Sequence, residues 1–168
     1  MSGDVVLREA REEDYPFILR VNEENVAVLS PMDEAHLRKL DEGALRTFIA
    51  EVDSAPAAFA IVMRDGFDAY DSQNYHWFAQ RYPQFVYVDR IAIDAPYRGR
   101  GVGRAIYDAV FDLARETESP VVAAEIDTIP YNEPSLKFHE SMGFHEVGTQ
   151  FVSANGVQVS LQIAPVQH

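Results

Sequence analysis

Three glycines and three arginines crowd the seven residues Arg98-Gly99-Arg100-Gly101-Val102-Gly103-Arg104, between a run that reads as a strand, Phe85 to Ile93, and one that reads as a helix, Val102 to Ala114. A strand that feeds a helix through such a turn leaves the first N–H groups of the helix unpaired and aimed at one spot. Glycine lets a ligand approach the backbone there with no Cβ in the way. This is the densest positive and glycine-rich place in an otherwise acidic chain, and it suits a phosphorylated cofactor.

The surrounding composition narrows the choice. The chain carries 27 acidic against 14 basic residues, a formal charge of −13, which disfavours a nucleic-acid surface because such binding neutralises phosphates with Lys and Arg. Arg90, Arg98, Arg100 and Arg104 form a local exception, so a small anionic cofactor is expected, with a cationic acceptor in keeping with the acidic body. There is no cysteine; disulfides, zinc-thiolate sites and a cysteine nucleophile are excluded, and no metal site is expected. The segment Met1 to Glu13 is polar, and no stretch approaches the ~20 apolar residues that cross a bilayer. A cytoplasmic chain with no membrane association is the expectation. The length of 168 residues fits one domain spanning 1–168.

Along the chain, Val5 to Arg8 reads as a strand, Glu12 to Val28 as a helix of near-3.6 period, and Asp33 to Leu40 as a second helix after Ser30-Pro31. Leu45 to Val52 and Ala57 to Arg64 read as strands of a hairpin joined by Asp53-Ser54-Ala55-Pro56. The stretch Asp65 to Pro83 has poor periodicity and many rings: Phe67, Tyr70, Tyr75, His76, Trp77, Phe78 and Tyr82. Either a short helix packs these rings on the core or they line an acceptor pocket. Beyond the glycine turn, the helix Gly101 to Glu116 is followed by a strand, Val121 to Ile126, and a helix, Asn132 to Met142, stopped by Gly143. Phe144 to Val152 and Val157 to Ile163 flank Asn155-Gly156, a two-residue hairpin signal.

Two nucleotide motifs fail. Gly99, Gly101 and Gly103 give GxGxG rather than the dinucleotide GxGxxG, and the lysine and following Ser or Thr of GxxxxGKS are missing. Instead Arg98-Gly99-Arg100-Gly101-Val102-Gly103, with its lead-in Val88-Asp89-Arg90-Ile91-Ala92-Ile93-Asp94-Ala95-Pro96-Tyr97, resembles the Q/R-x-x-G-x-G/A acyl-CoA pyrophosphate loop of the GNAT superfamily of N-acetyltransferases. The segment Asn132 to Phe144, which ends Phe138-His139-Glu140-Ser141-Met142-Gly143-Phe144, resembles the family's later helix. The resemblance is specific over Phe85 to Val147 and agrees elsewhere in element order.

That resemblance implies an α+β (mixed α/β) GNAT-like fold: a central, mostly antiparallel mixed sheet of about seven strands flanked by about four helices, with a splayed strand pair at the cofactor cleft. It implies acetyl-CoA as cofactor, its diphosphate on Arg98, Gly99, Arg100, Gly101, Val102, Gly103 and Arg104. The pantetheine arm would follow the backbone of Asp89 to Ile93, including Ile91, Ala92 and Ile93. Asn132 either caps its helix or bonds the cofactor arm, and Ser135 belongs with the same cofactor-side residues.

Acetyl transfer needs a neutral amine, a donor for the developing oxyanion and a proton for the leaving thiolate. In many relatives a tyrosine of the later helix gives that proton; the matching residue here is His139, with Tyr131 or another tyrosine, or no dedicated acid, as the alternatives. Candidate bases are Asp89, Glu125 and Asp127. Strand alternation puts Glu125 and Asp127 on one side, opposite Ala124 and Ile126, where two carboxylates could hold an ammonium and relay its proton through water. The expected activity is direct transfer of an acetyl group to the primary amine of a small molecule, with no acyl-enzyme. Acylation of a peptide or protein N-terminus and a noncatalytic acyl-CoA sensor are the alternatives. The closing hairpin offers an edge or face to a second copy, so a homodimer is within reach.

Overall fold

The computed structural model describes residues 4–27, 29–129, 132–152 and 156–167. In chain order the elements are β1 (Val5–Glu9), α1 (Tyr15–Glu24), α2 (Glu34–Gly43), β2 (Arg46–Val52), β3 (Ala55–Arg64), α3 (Gln73–Ala79), β4 (Val86–Ile93), α4 (Val102–Glu116), β5 (Val121–Ile129), α5 (Glu133–Ser141), β6 (His145–Val152) and β7 (Val157–Pro165). The strands make one mixed sheet of seven, ordered β1-β2-β3-β4-β5-β7-β6. The fold is therefore the expected α+β arrangement, with five α-helices in place of about four; the addition is α3.

Contacts gather into two units. One holds the residues up to Met63 together with Val88–Ala109, the other Arg64–Tyr87 together with the residues from Val110 onward.

In the first unit β1, β2 and β3 pair antiparallel. Every residue from Ala57 to Met63 is fully buried, as its unbroken apolar run requires of a strand covered on both faces. The β2–β3 connection is tighter than the four-residue link that the sequence suggests. Asp53 and Ser54 alone turn the chain, at φ 52° and 65°, the left-handed pair of a two-residue hairpin, and Ala55 and Pro56 already belong to β3. The helix expected over Glu12 to Val28 starts later, because a 3-10 turn at Glu12–Asp14 precedes α1 and Pro16 sits in its first turn, and α1 ends at Glu24; Val28 lies outside the described residues. Asp14 is spent on fixing that entry: it accepts from Arg8 at 2.7 and 2.8 Å and from the Arg11 N–H at 2.8 Å. Asp33 caps α2 by accepting from the His36 N–H.

In the second unit β5 pairs parallel with β4 over two positions, Val86↔Val122 and Tyr87↔Ala123. It pairs antiparallel with β7 along nearly its whole length, and β7 pairs with β6. The ring-rich stretch contains α3, capped by Ser72. Tyr75 and Phe78 are 1 % and 0 % exposed and pack their rings on Phe85 and Tyr87, so these two serve the core. The other face of α3 lies on β6: Gln73 donates to the Phe151 carbonyl at 3.0 Å and Gln150 donates to Asn74 Oδ1 at 2.9 Å. Gly143, at φ 97°, follows α5 as expected of a helix stop.

Candidate active site

The glycine turn is open and left-handed. Gly99 and Gly101 sit at φ 75° and 79°, a region that costs an L-residue about 1–2 kcal/mol, yet a Cβ at either position would meet nothing within 4 Å. Backbone conformation, not crowding, demands glycine there. The first helical bond of α4 runs from the Ala105 N–H to the Gly101 carbonyl at 3.1 Å. The N–H groups of Val102, Gly103 and Arg104 thus lie ahead of the helical ladder, in the position that receives anions.

The arginines around the turn differ in what they touch. Arg98 donates to Asn25 Oδ1 at 3.1 Å, and Arg100 lies over the Tyr97 ring at 5.5 Å. Arg104 is exposed. Arg90, grouped with them by charge, turns inward instead. It is 6 % exposed and donates to Asn22 Oδ1 at 3.0 Å, the Ser30 carbonyl at 3.1 Å and Asp89 Oδ2 at 2.8 Å. Its charge fastens the segment after α1 and does not serve an anion at the turn.

On β4, Ala92 is buried while Ile91 and Ile93 are half-buried. The Asp89 carboxylate is 4 % exposed and held by Arg90. Burial raises its pKa, and the Arg90 charge opposes that rise. As a residue Asp89 is only half-buried, so what it presents outward is main chain, the part expected to meet the cofactor arm.

The second unit holds the other candidates. Antiparallel register puts Glu125, Leu161 and Gly148 in one cross-strand row and Asp127, Val159 and Gln150 in the next, all on one face. The Tyr87 hydroxyl donates to Glu125 Oε2 at 2.6 Å. Trp77 of α3 covers Gly148 so closely that a Cβ there would lie 2.9 Å from the ring's Cη2. Asp127 is half-buried, with no side-chain hydrogen bond or ion pair among the described residues, and burial alone pushes its carboxyl above the ordinary carboxylate range. The two carboxylates named together from sequence therefore sit in different environments, one anchored and one not.

Asn132 caps α5: its Oδ1 accepts from the Ser135 N–H at 3.4 Å. One turn on, His139 is 6 % exposed, edge-on to Phe138 and Phe144. Its Nδ1 lies 2.7 Å from the Ser135 carbonyl and 3.3 Å from the Ser135 hydroxyl. A carbonyl only accepts, so Nδ1 carries the proton, and burial favours the neutral ring by lowering its pKa. In that tautomer Nε2 is an acceptor, and at neutral pH the ring is a poor source of a proton. Tyr131, the alternative acid, lies outside the described residues, as does Asn155 of the final hairpin signal. Among the described residues no group of three or more His, Asp or Glu side chains could hold a metal, and no helix is long and apolar enough to cross a membrane.

Tyr87 escaped the sequence reading. A tyrosine inside an apolar strand looks like core, although a buried phenol nearly always requires a partner for its hydroxyl, and that requirement was the available signal.

The family model described as the acetyltransferase (GNAT) family matches residues 6–144. The chain belongs to this family. It is 39 % identical over 69 residues to the N-alpha-acetyltransferase RimI of Mycobacterium tuberculosis, a match covering 40 % of either chain, and 35 % identical over 82 residues to an uncharacterized protein of Mycobacterium leprae, covering 47 % of this chain and 21 % of the other. The chain thus spans less than half the length of these two relatives. Solved structures with the same fold include Ard1 from Thermoplasma volcanium, with a TM-score of 0.79 at 18 % identity over 98 % of this chain and 99 % of that one. The NatC complex bound to Gag peptide and CoA gives 0.75 at 17 % identity over 98 % and 99 %. A nourseothricin acetyltransferase gives 0.68 at 19 % identity over 97 % and 99 %.

Proposed function

We propose that this chain is an acetyl-CoA-dependent N-acetyltransferase that acts on the primary amine of a small molecule. The observation that carries the reading is the turn before α4, where Gly99 and Gly101 are left-handed, the space above them is open, and the leading N–H groups of the helix are available. Those donors, with Arg100 and Arg104 nearby, fit a diphosphate, and the family of the chain supports an acyl-CoA as its source. The bound donor supplies an activated acetyl thioester.

The chain's own residues then manage the amine. Glu125, held by Tyr87, offers a fixed negative charge for the ammonium form. Asp127, whose carboxyl burial raises, is the better proton acceptor, since a base works best with a pKa near the operating pH. It takes one proton from the bound ammonium and passes it through water to solvent, leaving the neutral amine; the second proton, given up as the amide bond forms, returns by the same route to the departing thiolate. No dedicated acid is required, because a thiol with a pKa near 8.5 leaves readily. On this reading His139 packs α5 and keeps its ring neutral.

A second reading, in which the acceptor is the N-terminal amine of a polypeptide, is favoured by the identity shared with RimI. The roof that α3 forms over the Glu125 row, through Trp77 on Gly148, supports the smaller acceptor. The test is thiol release from acetyl-CoA with a panel of small primary amines and short peptides bearing free N-termini, with the product identified by mass. Turnover with amines alone supports the first reading and turnover with peptides alone the second. Silence with every amine, despite acetyl-CoA binding, would defeat both.

A further inference from the structure

We propose that Tyr87 is a positioning residue for the acceptor amine: it fixes the Glu125 carboxylate from below, and α3 in turn fixes Tyr87. The inference rests on the reading that Glu125 faces the amine. Tyr87 is 1 % exposed, and its hydroxyl reaches Glu125 Oε2 at 2.6 Å, the short range of a hydrogen bond to an ionised acceptor. Its ring is wedged edge-on against Tyr75 at 5.5 Å and tilted against Phe78 at 5.9 Å, and both of these are α3 residues with essentially no exposure. Tyr75 is itself pinned, accepting from the Phe67 N–H and donating to the Arg64 carbonyl. The phenol therefore cannot swing away, and the carboxylate it holds keeps one place. A hydrogen bond to the charged form of an acid favours that form, so the phenol suits Glu125 to holding a cation, while Asp127 has no such side-chain donor among the described residues. Neighbouring carboxyls are given separate tasks by their surroundings.

The experiment compares wild type with Tyr87→Phe, Glu125→Gln, the double variant, and Tyr15→Phe as a control that removes a buried tyrosine hydroxyl elsewhere, the one that donates to Asp41. Steady-state kinetics with an active amine are followed from pH 5 to 9, acetyl-CoA affinity is measured by calorimetry, and circular dichroism monitors folding. Tyr87→Phe should lower kcat/KM for the amine about tenfold, chiefly through KM, as loss of one hydrogen bond to a charged group implies. It should also move the acid limb of kcat/KM to higher pH and leave acetyl-CoA affinity unchanged. Tyr15→Phe should leave that limb in place. The double variant should be no worse than Glu125→Gln, since the two residues act as one unit. A Tyr87→Phe loss that persists undiminished in the Glu125→Gln background overturns the inference, as does a wild-type pH profile in Tyr87→Phe while Glu125→Gln is impaired. Full activity in Glu125→Gln instead removes the reading underneath, and the inference falls with it. If Tyr87→Phe does not fold, Phe78→Leu, which loosens the ring but keeps the hydroxyl, should reproduce the KM effect in part; an unaltered KM there counts against the proposal.

Discussion

Replacing Gly148 with alanine sets a small atom against a rigid ring. The added Cβ would lie 2.9 Å from Trp77 Cη2 and closer still to Cζ2, against 3.4 Å or more in ordinary contact. The ring has little room to retreat: Arg81 stacks on it at 3.9 Å from the centroid and Phe78 meets it edge-on at 5.2 Å, while Gln73 and Asn74 tie the same helix to β6. Overpacking of this kind costs roughly 1–3 kcal/mol, which for a chain of this length lowers Tm by about 3–9 °C. Urea denaturation and a thermal scan measure it directly. Trp77→Leu in the Gly148→Ala background should recover part of the loss, giving a favourable coupling of about 1 kcal/mol or more. Because α3 also backs Tyr87, Gly148→Ala should raise KM for the amine with acetyl-CoA affinity unchanged. A Gly148→Ala protein as stable as wild type, or a double variant whose loss equals the sum of the single losses, would refute the packing argument.

Asp127→Asn should lower kcat about a hundredfold or more and abolish the acid limb of the kcat profile. That limb belongs to a base that must be deprotonated and whose pKa burial has raised; steady-state kinetics across pH check it. The Arg8 hydrogen bonds hold the Asp14 carboxyl below the usual carboxylate range. The stability this provides is complete above the unfolded value near 3.9 and disappears as pH falls through the folded one. Arg8→Met should cost roughly 3 kcal/mol at pH 7 and flatten the loss of stability below about pH 4, as read by denaturant titration. Burial depresses the His139 pKa, so below about pH 6.5 the unfolded chain takes up the proton first and stability falls with pH. His139→Gln should remove that slope while kcat at pH 8 stays within about threefold of wild type; a loss near a hundredfold would restore His139 as the acid.

The strand, glycine turn and helix from Phe85 to Glu116 were legible because glycines and arginines at a junction have few other uses. The second helix–glycine pair, ending at Gly143, was legible because a glycine after a periodic run stops a helix. What was hidden follows from physics the one-dimensional pattern does not carry. α3 spans seven residues, two turns, too few for a period to emerge among so many rings. The Asp53-Ser54 turn contains no glycine to mark its left-handed residues. Charge counting grouped Arg90 with the turn, whereas its guanidinium points inward to Asn22 and Ser30. Glu125 and Asp127 share a face by alternation, as the register confirms, but only the folded arrangement distinguishes the one held by a phenol from the one with no side-chain partner among the described residues.

The leading amides of α4 are the proposed seat of the acetyl-CoA diphosphate, and their resonances, followed by NMR during titration with acetyl-CoA, report on it without passing through catalysis. Large saturable shifts at Val102, Gly103 and Arg104, with slowed hydrogen exchange at the same amides, are the predicted result. Saturable binding that leaves those resonances in place would contradict it.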